Sequence, residues 1–174
     1  MSKIYLTKEQ YEALPYKTTK VARGRTYGEV VGMLETHGIH DYRWTKISGV
    51  EILEFPLKVI RNEVEYPFTV KLTVPKLMYS MKKGRGKNAP KTMTYLENIS
   101  WRIFYWYLKS RLDAIKYGIS DELREFMYNV TYALTDEHGN MTQEISLGQA
   151  ILENVDNLSK LTALEDNRER RVIA

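Results

Sequence analysis

The chain has 174 residues, of which 43% are hydrophobic and 28% charged, and it contains no cysteine. This composition is typical of a folded domain of ordinary size and excludes a disordered chain. The absence of cysteine excludes disulfide bonds, thiolate zinc sites and cysteine nucleophiles. No apolar run is long enough for a membrane span or a signal peptide, so we expect a soluble, cytoplasmic protein with no membrane partner.

The net charge of +4 is distributed unevenly along the chain. Residues 75–118 carry ten cations and two acids, which gives +8, whereas residues 119–174 carry five cations and eleven acids, which gives −6. A basic surface of this kind attracts polyanions. Alternatively, the basic and acidic parts neutralise each other across the fold or in a homo-oligomer, with the acidic C-terminal third as the contact.

The N-terminal part of the chain is predicted to be a basic arm, residues 1–25, followed by a short helix. Thr26 and Glu29 have the spacing of a capping box, so the helix is expected to begin at Thr26 and to end at Gly38. Gly28 and Gly32 share one face of this helix and would allow it to pack closely against a sheet.

Three strands are predicted next, at about residues 42–47, 51–60 and 66–74, in an antiparallel meander. Apolar and polar residues alternate in the last two, which is typical of strands with one buried and one solvated face. This alternation places Glu54 on the solvated face. Pro56 predicts that its strand lies at an edge or contains a bulge, because proline cannot donate a backbone hydrogen bond.

Two further helices and a weaker third one are predicted after the meander. Thr94 and Glu97 form another capping-box pattern, so a long helix is expected from there to Gly118, with an apolar first half that includes Trp101 and Trp106. Ser120 is expected to cap a second helix whose apolar stripe runs to Leu134, before a turn at 136–140 and a last helix at 147–164.

These elements predict an α+β fold, a short helix and three-stranded antiparallel meander followed by a helical C-terminal half. Three regions are expected: the basic N-terminal arm 1–25, an α+β core at 26–135 with an exposed basic loop at 76–93, and an acidic helical extension at 136–174.

Most signatures of catalysis are missing from the sequence. The segment around Gly84 and Gly86 lacks the Walker pattern, which needs glycine in place of Met81 and serine or threonine in place of Asn88. Two groups of residues could bind a metal or act as general bases. The first group, His37, His40 and Asp41, is equally well explained as a helix end. The second group, Asp136, Glu137 and His138, is typical of a turn. We expect no enzymatic activity, no catalytic residue, no metal and no cofactor.

Basic residues suggest binding instead. Residues 82–91 have five positive side chains and no acid, and such loops gain affinity for phosphates by releasing counterions. Arg102, Lys109 and Lys116 recur every seven residues and share a helix face with Tyr105, whose ring could stack on a base. The candidate nucleic-acid-binding residues are Arg23, Arg25, Lys82, Lys83, Arg85, Lys87, Lys91, Arg102, Tyr105, Lys109 and Lys116. The alternative is a solvated loop without a ligand.

The region 26–135 resembles small uncharacterised proteins carried by phages and other prokaryotic mobile elements. The resemblance rests on the helix, the meander and the basic linker, and on the residues Trp101, Arg102, Lys109, Leu112, Ala114, Gly118, Glu125 and Phe126. It implies a genomic setting and no particular reaction. Two roles suit that setting: binding DNA or RNA, or sequestering a phosphorylated nucleotide signal of host defence. A protein-interaction module with an acidic partner is the third alternative.

Overall fold

The computed structural model describes residues 3–61, 64–82, 90–135 and 141–146 of the chain. In chain order, the elements of these residues are β1 (Ile4–Tyr5), α1 (Lys8–Glu12), α2 (Arg23–Thr36), β2 (Arg43–Ile47), β3 (Val50–Arg61), β4 (Val64–Thr73), β5 (Leu77–Lys82), β6 (Lys91–Tyr95), α3 (Glu97–Lys116), α4 (Glu122–Phe126), a 3-10 turn (Met127–Asn129), β7 (Val130–Thr135) and β8 (Met141–Ser146).

The predicted α+β class is confirmed, and the strands form two sheets. One sheet has the order β2-β3-β4-β7-β8, and the pairings of β2 with β3, β4 with β7 and β7 with β8 are antiparallel. The other has the order β1-β5-β6, with β1 parallel to β5 and β5 antiparallel to β6. The chain divides into two compact units, of which the first comprises Met1–Pro56 and Lys71–Asp121 and the second Leu57–Val70 and Glu122–Ala174.

Helix α3 provides much of the first unit's core. Its buried side chains include Trp101, Phe104, Leu108 and Leu112, whose three- and four-residue spacing forms one stripe. Trp44 of β2 packs against this stripe, with its ring centroid 5.2 Å from that of Trp101. An apolar stripe of this width leaves the opposite side of the helix in solvent.

The start of α2 differs from the predicted one. The helix begins at Arg23, and Thr26 is fully buried within it. The side chain of Asn98, in the first turn of α3, accepts a hydrogen bond of 3.0 Å from the Arg23 backbone N–H. A distant residue therefore caps the helix, which a local capping pattern could not reveal. The predicted end is confirmed, since Gly38 has a φ of +73° just after α2.

The predicted close packing of Gly28 and Gly32 is wrong. Apart from the two adjacent residues and the backbone of the helix itself, no atom lies within 4 Å of a Cβ added at either position. Both glycines thus weaken α2 without a packing benefit in the part of the chain that the structure describes.

Helix α3 also begins differently from the prediction, whereas its end agrees. Thr94 lies in β6 and its hydroxyl donates to the Thr92 carbonyl, so it does not cap the helix. The helix ends at Lys116, and Gly118 has a φ of +68°.

The second predicted helix is confirmed only as the short α4, and its extension to Leu134 is wrong. Val130–Thr135 form β7, which pairs with β4 and β8. Val130, Thr131 and Tyr132 are β-branched or aromatic residues, which are common in strands, and pairing within the sheet makes this segment a strand instead of a helix. The predicted turn at 136–140 and the predicted helix at 147–164 lie outside the described residues.

Residues 3–21, which lie within the predicted arm, contribute structure to the first unit. Leu6, Tyr11 and Leu14 pack on a small apolar cluster made by Leu77, Leu96 and Ile99. The Tyr11 ring lies flat on the Tyr79 ring of β5, with centroids 3.9 Å apart. The N-terminal segment thereby covers one side of the β5-β6 hairpin.

Two expectations for β3 are wrong. β3 lies between β2 and β4 in its sheet, so the predicted edge strand is wrong, and Pro56 lies beyond Glu54, the last residue that pairs with β2, where it interrupts no pairing with that strand. Glu54 is buried, contrary to the prediction of a solvated face, because Arg43 and Lys71 neutralise it with nitrogens 2.6 and 3.3 Å from its carboxylate oxygens. A buried carboxylate requires such partners.

Candidate nucleic-acid interface

Five of the predicted binding residues lie along the line where α2 packs on α3, which we call the α2-α3 seam: Arg25, Arg102, Tyr105, Lys109 and Lys116. Glu29 of α2 connects Arg25 with Arg102, since it forms ion pairs with both guanidinium groups. Arg25 is largely exposed, and its Nε lies 3.3 Å from the Glu29 carboxylate. The predicted face therefore exists, but it carries acids as well as cations.

Arg102 is the most enclosed cation of the seam, with 13% of its side chain exposed. Its guanidinium carbon lies 4.6 Å from the ring centroid of Tyr105 and 5.8 Å from that of Trp106. A guanidinium held at this distance from aromatic faces is attracted by their negative quadrupole. Arg102 thus orders two aromatic side chains at the surface of α3.

Lys109 and Asp113 form an ion pair one helical turn apart. The hydrogen bond between them raises the pKa of Lys109 and lowers the pKa of Asp113. Both groups are consequently charged at neutral pH. Lys116, one turn further on, makes no ion pair with any residue that the structure describes.

A groove of about 340 Å³ opens along the seam. Its lining combines two tyrosines, two lysines and two carboxylates with smaller groups: Glu29, Gly32, Met33, Thr36, His37, Tyr105, Lys109, Asp113, Lys116 and Tyr117. Rings and charges of both signs in one groove suit a flat ligand that has polar edges and a phosphate.

His37 lies at the end of α2 beside this groove. Its Nδ1 is 2.8 Å from the Met33 carbonyl oxygen, so this nitrogen carries the proton and donates. Its Nε2 faces Asp113 at 3.6 Å. His40 and Asp41, the other members of the predicted metal group, are exposed. Among the described residues, no three histidine, aspartate or glutamate side chains gather at one point.

One of the two exposed aromatic side chains of α3 was not predicted from the sequence. Trp106, which was expected in the core, is 40% exposed, and Tyr107 is 39% exposed. Tyr16 of the N-terminal segment stacks beside Trp106, with ring centroids 6.1 Å apart and planes 12° from parallel. The signal was available, because Trp106 falls between the positions of the buried stripe at Phe104 and Leu108.

Arg23 occupies a different environment from the rest of the predicted set. It forms an ion pair with Glu51 of β3 and covers the Trp101 ring at 5.2 Å. The Trp101 indole N–H also donates to Glu51 at 3.1 Å, and Lys46 approaches the same carboxylate at 3.6 Å. Arg23 is thus bound into the structure at the place where α2 and α3 begin.

Tyr95 lies in the same region, near Glu51 and Arg23. Burial, reinforced by the charge of Glu51, raises the pKa of Tyr95 to about 12. Tyr95 pairs with Met78 at one end of the β5-β6 hairpin, whereas Lys82 pairs with Lys91 at the other. Because a strand rises about 3.4 Å per residue, these ends are roughly 14 Å apart. The Arg23 region is therefore not beside the basic end of the hairpin.

Lys82 and Lys91 are directly opposite each other at the basic end of the hairpin, and both are exposed. Like charges placed directly opposite each other on paired strands are destabilising. Lys83, Arg85 and Lys87 lie outside the described residues. The predicted site is thus divided, in its described part, between the hairpin, the α2-α3 seam and the Arg23 region.

No protein-family model, curated protein or solved structure matches this chain. The resemblance to phage and mobile-element proteins stays a prediction. Within the described residues, no helix has both the length and the apolar character needed to cross a membrane. The function has to be argued from the chemistry of the surface itself.

Proposed function

We propose that this protein is a non-enzymatic nucleic-acid-binding protein, in the setting of a phage or another mobile element. One observation carries the proposal: the outer side of α3 presents exposed aromatic rings beside cations. Trp106 and Tyr107 are exposed, and Arg102 and Lys109 lie on the adjoining seam. Rings that stack on bases next to cations that attract phosphates are the usual components of nucleic-acid surfaces.

The phosphate contacts come from lysines at two places in the first unit. Lys116 lies at the end of α3, where the helix dipole already favours a cation, and Lys91 lies at the basic end of the hairpin. Neither makes an ion pair with a described residue. Lysines of this kind can neutralise phosphates, and the release of the counterions condensed on the nucleic acid is then the main source of affinity.

The acids of the seam do not oppose this function strongly. Surface ion pairs such as Lys109 with Asp113 contribute only about 0–1 kcal/mol, so a phosphate can compete for the lysine. Glu29 has a different effect, because it holds Arg102 against the Tyr105 and Trp106 rings. The acids therefore order the aromatic surface while leaving Lys116 available.

The groove supports a second candidate function, the binding of a single phosphorylated nucleotide. Tyr105 and Tyr117 offer rings, Asp113 offers an acceptor for an amino group, and Lys116 offers a phosphate contact. A groove of about 340 Å³ lies at the lower end of the range for small-molecule sites. This candidate predicts tight binding of one nucleotide and weak binding of polymers.

A fluorescence-anisotropy titration tests the proposal. The full chain is titrated at low salt into labelled single-stranded DNA, single-stranded RNA and a DNA duplex, and a thermal-shift screen with mononucleotides is run in parallel. We expect saturable binding to at least one polymer. Stabilisation by a mononucleotide with no polymer binding would favour the second candidate. Self-association that weakens with salt, without any ligand, would favour a protein-interaction module.

A further inference from the structure

Tyr16 has an unusual backbone conformation for an aromatic residue. Its φ is 61°, in the left-handed region that residues other than glycine seldom adopt. The turn is closed by a hydrogen bond of 2.8 Å from the Thr19 N–H to the Tyr16 carbonyl. A strained residue of this kind persists only where the surrounding structure fixes it, and its position is therefore a guide to function.

The strained turn places the Tyr16 ring beside an exposed ring instead of in the core. Tyr16 and Trp106 are each 40% exposed, and their planes differ by only 12°. The Tyr105 ring meets Trp106 edge-on with centroids 5.2 Å apart, and Arg102 lies over both. Trp106 is thus fixed from two sides while much of its surface stays in solvent.

This arrangement has the properties of a stacking platform. Burying these rings fully would stabilise the fold, so leaving 40% of each residue exposed forgoes hydrophobic energy that a ligand can recover. Two nearly parallel rings offer flat surfaces to flat ligands, and the fixed side chains have little rotational entropy left to lose on binding. Nucleobases are flat and stack on aromatic side chains irrespective of sequence.

We infer that Tyr16 and Trp106 stack the unpaired bases of a single strand, so that the protein selects single-stranded over double-stranded nucleic acid. This inference rests on the proposed function and specifies its ligand. In a duplex the base faces are covered by neighbouring base pairs and only the edges are accessible in the grooves. Single-strand binders instead combine rings with cations that follow the backbone, and Lys116, which makes no ion pair with a described residue, lies further along the same helix as Trp106.

Ring deletions test the inference against two controls. Trp106→Ala removes one ring, and Tyr16→Gly removes the other while accepting the positive φ without strain. Tyr16→Phe keeps the ring, and Tyr5→Ala removes an exposed tyrosine from β1, away from the platform. Dissociation constants are measured by anisotropy for a single strand and for its duplex, and circular dichroism checks that each variant is folded.

We expect each ring deletion to weaken single-strand binding about 5- to 150-fold and to leave duplex binding unchanged, since stacking contributes about 1–3 kcal/mol per base. Tyr5→Ala should bind as the wild type does, and Tyr16→Phe, which keeps the ring, should lose far less single-strand affinity than Tyr16→Gly. Single-strand binding unchanged in folded Trp106→Ala and Tyr16→Gly variants, or a duplex bound as tightly as the strand, would overturn the inference while the proposed function stands. Wild-type protein that binds neither ligand would overturn both.

Discussion

Glu51 determines the local structure of the Arg23 region. Its side chain is 12% exposed and accepts hydrogen bonds from Arg23 and from the Trp101 indole. A carboxylate that has lost this much water requires charged or hydrogen-bonding partners. Through these partners, one residue of β3 connects the first residue of α2 with the buried stripe of α3.

Glu51→Gln should destabilise the protein by about 1–2 kcal/mol, because the amide keeps the shape but loses the charge that Arg23 neutralises. The loss should be smaller than for a fully buried ion pair, because Arg23 is 40% exposed and water can solvate its charge once the carboxylate is gone. The free energy of unfolding is measured by urea denaturation monitored by tryptophan fluorescence. Glu12→Gln is the control: its partner Lys8 is one helical turn away in solvent, so the loss should stay below about 0.5 kcal/mol. Equal losses in the two variants would contradict this account.

At the scale of single elements, local patterns predicted interiors and helix ends better than helix starts. Alternation predicted the strands between residues 42 and 74, and Gly38 and Gly118 marked helix ends because a positive φ suits glycine. The starts of α2 and α3 were missed, because α2 is capped by Asn98, 75 residues away in the chain, and Thr94 is taken up by β6. Tertiary partners of this kind leave no local signature.

In the candidate site, the sequence likewise predicted which residues share a helix face but not which residues they contact. The periodicity of Arg102, Lys109 and Lys116 correctly predicted a common helix face. It could not reveal that Glu29, 73 residues earlier, forms an ion pair with Arg102. Nor could it reveal that Tyr16 stacks beside Trp106, because that contact depends on one strained turn.

Helix α2 provides a test of glycine's two opposite effects on stability. Gly28 lies within the helix and has open space around it, so Gly28→Ala should stabilise the protein by about 0.5–1 kcal/mol. Gly38 has equally open space but a φ of +73°, so Gly38→Ala should destabilise it by about 1 kcal/mol. Thermal unfolding of the two variants and the wild type measures the difference. Shifts of the same sign would show that backbone conformation does not govern these positions.

At the scale of the whole molecule, the sequence predicted a basic middle segment, and the structure changes how its charge is used. Two cations of this segment, Arg102 and Lys109, are paired within the first unit, as is Arg23 outside the segment. Lys91 and Lys116 make no ion pair with a described residue. Only cations that are free to neutralise phosphates, and so to release the counterions condensed on the nucleic acid, contribute fully to salt-dependent binding. The number of such cations, and not the net charge, should therefore set the salt dependence.

The salt dependence of single-strand binding tests this view directly. Each lysine that contacts a phosphate contributes about −0.7 to the slope of log affinity against log salt concentration. Lys91→Gln and Lys116→Gln should therefore each make the slope shallower by about 0.7, and the double variant should add the two effects. Lys8→Gln is the matched control, because it also removes an exposed lysine, one paired with Glu12 on α1. Anisotropy titrations at four or more salt concentrations give the slopes. If the control changes the slope as much as the test variants do, binding follows net charge and the two lysines have no special place in it.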